Sequence, residues 1–221
     1  MSEGGTAHEK TLFAAAALSA GFTIAALAAN TDGPDPHVDV TLLEEGSVTT
    51  AEGPAAWERI YEVVSHPRCA NCHVGNDNIP MWSGPTYGTA RPHGMNINAG
   101  ESRIGAETLM CSTCHITSSD FDTALNAAPR YGIDWSLAPV EFLWYGQTSV
   151  QICAQMKNPD TNGDRDWQGL VDHLVHDAKA FGPVLWGFNP SGGREPAPYG
   201  LQAHVNDMIA WGAAGQPCPA E

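Results

Sequence analysis

Positive charge is scarce in this chain. Its 221 residues hold 10 Lys and Arg against 25 Asp and Glu, a formal net charge of −15. That balance makes nucleic acid and anionic lipid poor partners and a basic protein surface a better one. Charged residues are only 16% of the chain, while hydrophobic residues are 43%, enough to build a core in one domain or two small ones. Several patterns that carry chemistry are missing. Residues 160–166 contain Asn162-Gly163-Asp164 but lack the downstream glutamate of a calcium loop. The Gly-rich stretch 182–200 has no Lys and no P-loop spacing, so it reads as structural. No molybdenum-pterin or iron–sulfur pattern exists, and no βαβ context surrounds any cysteine pair.

What is present is the pattern Cys-x-x-Cys-His, twice: Cys69-Ala70-Asn71-Cys72-His73 and Cys111-Ser112-Thr113-Cys114-His115. In an exported chain this spacing reads as covalent attachment of c-type haem. Two thiols add across the vinyl groups on one porphyrin edge, and the adjacent His becomes the proximal axial ligand. A structural zinc site also uses paired CxxC elements, but it has no need of His directly after each second Cys. Redox-active dithiols are the remaining alternative. The expected cofactors are therefore two covalently bound haem c groups, attached through Cys69, Cys72, Cys111 and Cys114, with His73 and His115 as proximal ligands.

Each iron then needs a sixth ligand. By residue type His93 and Met95, in Arg91-Pro92-His93-Gly94-Met95, are the best candidates in the loop between the motifs. His173 and His176 lie three apart on a helical pattern, away from its apolar stripe. The expectation is His93 and His173 as distal ligands, with Met95, Met81 and His176 in reserve. His37 and His204 read as solvated and packed histidines. Of the six cysteines, Cys153 and Cys218 remain outside the motifs. They either pair in an oxidising compartment or stay as free buried thiols, and export favours the pair.

Residues 11–29 carry no charge and follow Lys10. They resemble a signal peptide ending near Ala26-Leu27-Ala28 or Leu27-Ala28-Ala29, or a retained membrane anchor, since the run nears bilayer length. Either way the remainder is exported, a periplasmic location. Residues 30–53 are acidic and read as a tether, leaving 54–221 as the cofactor-binding domain. Helices are expected from Pro54 to a stop at His66-Pro67, over 148–157, over 167–180 behind an Asp164 or Asp166 cap, and over 199–211. The first of these offers its apolar stripe as a cover for a porphyrin face. Residues 74–110 show neither period and read as a loop crossing a cofactor. Phe121, Trp135, Phe142, Trp144 and Tyr145 read as aromatic packing over the second haem. The fold class is thus mainly α with long irregular loops, wrapped around two haems.

The segments His66-Pro67-Arg68-Cys69, Asn71-Cys72-His73, Arg91-Pro92-His93-Gly94-Met95-Asn96 and the second CxxCH resemble a bacterial family of exported dihaem cytochromes c. Some members of it are loosely labelled as companions of isoquinoline 1-oxidoreductase. Leu185-Trp186-Gly187-Phe188-Asn189-Pro190 and residues 211–219 are similar to its C-terminal part, so the resemblance covers roughly 55–220, about three quarters of the chain. It implies an electron carrier relaying between redox partner proteins, in solution or within a membrane complex. The rival is a dihaem enzyme, a peroxidase or sulfur-compound oxidoreductase, with one open iron position.

Overall fold

Two tryptophans set the centre of the core. Trp57 lies on α1 (Glu52–Val64) and Trp211 on α7 (Leu201–Ala213); both are fully buried, with ring centroids 5.3 Å apart. Each indole N–H has a partner, Ser149 Oγ at 2.8 Å and Pro217 O at 3.0 Å. Beside them Arg59 grips Asp207 with paired hydrogen bonds of 2.6–3.0 Å. The computed structural model describes residues 1, 36–84, 88–116, 129 and 135–220. The chain divides into units Met1–Gly33 and Pro34–Glu221, and all that follows concerns the second. The leader or anchor expected over 1–29 and the aromatic Phe121 lie outside the described residues.

The described part is mainly helical, with very little strand. Around α1 and α7 stand α3 (Ser149–Lys157) and α5 (Trp167–Lys179). Thr148 caps α3 through a capping box with Gln151, and Asp166 caps α5 by accepting from Gly169 N at 2.7 Å. Trp167, Leu170 and Val171 of α5 are buried as the stripe requires. Gly212 of α7 lets Trp167 approach: a Cβ there would stand 2.3 Å from the indole ring. Among the described residues no helix is long and apolar enough to cross a membrane.

The structure departs from the sequence expectations in several places. The stripe of α1, including Trp57, Ile60 and Val64, is buried in the common core with residues of α7, and Cys69 of the first motif packs against that core. His66-Pro67 ends α1 but starts another turn, α2 (Pro67–Ala70), whose N-terminus His66 caps by accepting from Arg68 N. The turn after α3 is a helical turn, α4 (Pro159–Asn162). The 182–200 loop contains α6 (Pro183–Phe188). The 74–110 loop holds a two-residue antiparallel pair, β1 (Met81–Trp82) and β2 (Arg91–Pro92), with Met81 opposite Pro92. The part of the presumed tether that is described lies on the body: Val38 enters the core, and Gln202 of α7 clasps the Asp39 backbone from both sides.

Cys153 and Cys218 form a disulfide, with Cα atoms 5.7 Å apart, tying α3 to the C-terminal segment. His204 on α7 is 4% exposed and its Nδ1 has no hydrogen-bond partner. Burial alone pushes its pKa down to about 4 from 6.5. The unfolded chain takes up that proton below about 6.5, whereas the folded chain refuses it until about 4. Stability from this residue is therefore lost as pH falls across that window, by about 3 kcal/mol in full. Asp177, raised to about 6 by burial, works in the opposite direction over part of the window. The difference between the parent and His204→Leu isolates the histidine: the parent's urea midpoint should fall relative to the variant's as pH drops from 7 to 4.5. Parallel pH dependences for the two proteins would remove His204 from the account.

Candidate functional site

The first motif leaves α2 and is held from two directions. Asn71 O accepts from Met81 N at 2.8 Å, which ties it to β1. The segment after Leu137 returns and donates to His73 O through Trp144 N and Tyr145 N, at 3.0 and 3.1 Å. In exchange His73 Nδ1 donates to Phe142 O at 3.0 Å. Trp144 stacks flat on the His73 ring, centroids 3.4 Å apart, and Phe142 meets it edge-on. Phe142 and Trp144 therefore serve the first motif, not the second as their sequence position suggested, because the returning backbone is bonded to His73. Trp135 does lie by the second motif, its ring centroid 5.0 Å from that of His115.

The second motif opens with Cys111 N donating to Ile104 O at 3.0 Å. His115 Nδ1 donates to Pro129 O at 2.7 Å. His93 follows β2, its backbone N bonded to Pro80 O at 2.8 Å, and its Nδ1 donates to Gly94 O at 3.0 Å. Thus His73, His93 and His115 share one feature. A carbonyl oxygen can only accept, so each Nδ1 carries the proton and each Nε2 keeps its lone pair. This is the tautomer that a metal-ligating imidazole adopts, fixed by its outer hydrogen bond. His66, by contrast, uses Nδ1 as an acceptor.

The rings of His93 and His115 lie with centroids 6.1 Å apart and planes tilted by 45°. Two imidazoles on opposite sides of one metal need roughly 6 Å: two metal–nitrogen bonds of about 2 Å and two ring radii. The two residues line one cavity of about 470 Å³, together with Cys111, Cys114, Trp135 and Leu137. That volume falls in the range of sites that enclose a cofactor-sized ligand. Met95 and Met81 line it too. Met95 is 78% exposed, and Met81, like Cys72, packs against the small cluster of Val74, Ala99 and Leu137.

His173 is near enough to His73 to help depress its pKa, after burial, to about 3. A ring contact places His93 beside His115, whereas His173, exposed on α5, is related to His73 only through that electrostatic influence. His176 is exposed on α5. Dense packing also pushes the Cys69 and Cys72 thiols up, to about 12 and about 11, although each residue keeps some surface open. Burial raises Cys111 in the same direction. These thiols are protonated at neutral pH, and no three His, Cys, Asp or Glu side chains among the described residues converge as a metal cage. A structural zinc site would ask for four such ligands.

Sequence reasoning passed over two arginines. Arg68 and Arg194 both line the cavity, one buried at 6% exposure and the other half-buried. A lone arginine before a motif and another in a Gly-rich loop give no periodic signal; only the fold joins them. No protein-family model, no curated protein and no solved structure matches the chain.

Proposed function

We propose that this protein is an exported dihaem c-type cytochrome that carries single electrons between redox partners. One observation carries the reading: His93 and His115 stand an axial-ligand distance apart, each with Nε2 left free by a carbonyl on Nδ1, in a cavity that Cys111 and Cys114 also line. The residues fit the group. Two thiols at CxxC spacing meet one porphyrin edge, and the apolar walls exclude water from its faces. When bound, haem iron supplies reversible one-electron chemistry. This chain's part is to hold the imidazoles in the ligating tautomer, to shield them, and to set each potential through the sixth ligand and burial. His73 with His173 is the corresponding pair for the first motif.

An enzymatic reading asks for an iron position left open beside an acid–base group. The opposing histidines favour electron transfer instead. The disulfide supports an oxidising compartment outside the cytoplasm, as the resemblance to exported dihaem cytochromes implies. The charge of −15 suits partner proteins with a basic docking patch and not nucleic acid. Mass spectrometry of the purified, denatured chain should show two haems still attached. Its optical spectrum should be six-coordinate and low-spin at both irons, with no carbon monoxide bound on reduction. A colourless chain after acid–acetone extraction ends the proposal, and a high-spin iron in the resting protein transfers it to the enzyme reading.

A further inference from the structure

Arg68 is a buried cation whose hydrogen bonds all end on neutral oxygens. Nε donates to Glu195 O at 2.7 Å, Nη1 to Ser83 Oγ at 2.9 Å and Nη2 to Gly84 O at 3.0 Å. Two of its five N–H groups remain. Arg194 stands beside it, donating through Nη1 to Ser83 O at 2.6 Å and lying 5.9 Å over the Trp186 ring. Burial first, and then repulsion from Arg194, pull Arg68 below the ordinary arginine range, against the opposing attraction of the Glu195 carboxylate. Burying the Arg68 guanidinium in a protein wall is costly unless negative charge joins it. The chain has 25 acidic residues, yet none of the described ones forms an ion pair with Arg68. Both arginines border the cavity that Cys111, Cys114, His93 and His115 line. Asn71, buried at the same border with Oδ1 unpartnered, adds polarity at this end of an otherwise apolar enclosure.

We infer that Arg68 and Arg194 form a carboxylate-binding end to this cavity and hold the two propionate groups of the haem attached through Cys111 and Cys114. The inference rests on the dihaem reading. A porphyrin fixed by thioethers at one edge carries its carboxylates at the other, and guanidinium matches carboxylate in two-pronged geometry. The ligand is thus an anion covalently part of the cofactor, and the arginines neutralise it where water is excluded.

The test uses the holoprotein and a redox titration that resolves both haems. In Arg194→Gln both haems should remain attached by mass. One haem's reduction equilibrium should shift about tenfold toward the oxidised form, about 59 mV for a one-electron couple, because an uncompensated carboxylate favours the ferric iron. The other wave should move less than half as far, and Arg194→Lys should restore most of the shift. Two haems attached with both waves unmoved in Arg194→Gln overturns the inference and leaves the dihaem reading standing. No attached haem in the parent protein overturns both. Should Arg194→Gln fail to accumulate, redox-difference infrared spectra of the parent grown on ¹⁵N-arginine decide. Isotope-shifted guanidinium bands support the contact, and their absence overturns it.

Discussion

Replacing His93 by alanine is expected to change one haem only, from a six-coordinate low-spin form to one that binds carbon monoxide on reduction, one per chain where the parent binds none. The side chain is well placed for so confined an effect. Its ring makes one hydrogen bond, Nδ1 to Gly94 O, and lies beside the ring of His115. It contributes to neither hydrophobic cluster of the fold. Its removal therefore takes away a ligand without opening the core. The neighbouring Met95 is the residue that could step in, since it lines the same cavity from an exposed loop. Replacement by methionine would keep the iron low-spin and raise its potential, because thioether ligation favours the ferrous state. The double variant His93→Ala, Met95→Ala separates these outcomes. Optical and paramagnetic resonance spectra unchanged from the parent in the single and double variants would show that neither residue is a ligand.

Removing the disulfide should produce the largest loss of stability. Cys153 and Cys218 are 65 residues apart, and a loop of that length corresponds to about 4 kcal/mol of unfolded-state entropy in the chain-closure picture. The bridge also holds the segment in which Pro217 O accepts the Trp211 indole N–H. The variant Cys153→Ala, Cys218→Ala should therefore unfold at much lower urea concentration, with the slope of the transition steeper if the unfolded ensemble expands. The candidate site lies on other elements, so haem content and spectra of the surviving folded protein should match the parent. A stability change below 1 kcal/mol in that comparison would show that the C-terminal segment is held by packing alone.

Much of the fold was readable because local rules and tertiary packing agree. α5 is the plainest case: its stripe, its Asp166 cap and its length all follow from residues 166–179. The paired motifs were readable because their spacing is chemical, not structural. What escaped was set by contacts between distant segments. α6 begins at Gly182-Pro183, a start that composition disguises as a loop. Its N-terminal amides of Val184 and Leu185 are met by Asp177 on the previous helix, at 2.8 and 3.1 Å, a cap that no local pattern displays. β1 and β2 are two residues each, too short for alternation to register. The assignment of Phe142 and Trp144 to the wrong motif has the same origin, since the chain doubles back to His73 only in three dimensions. His93 and His173 were chosen by type and position; that His93 would stand beside His115 is a contact only the fold supplies.

Cys72 belongs to the first motif, yet it borders the cavity of the second, and the Cys111 thiol acts on it electrostatically. On the proposed reading, a residue that attaches one redox centre borders the enclosure of the other. Passage of an electron from one to the other would then be far quicker than the meeting of two proteins. Throughput would be governed by encounter, and would slow as added salt masks the long-range attraction between this acidic surface and its basic counterpart.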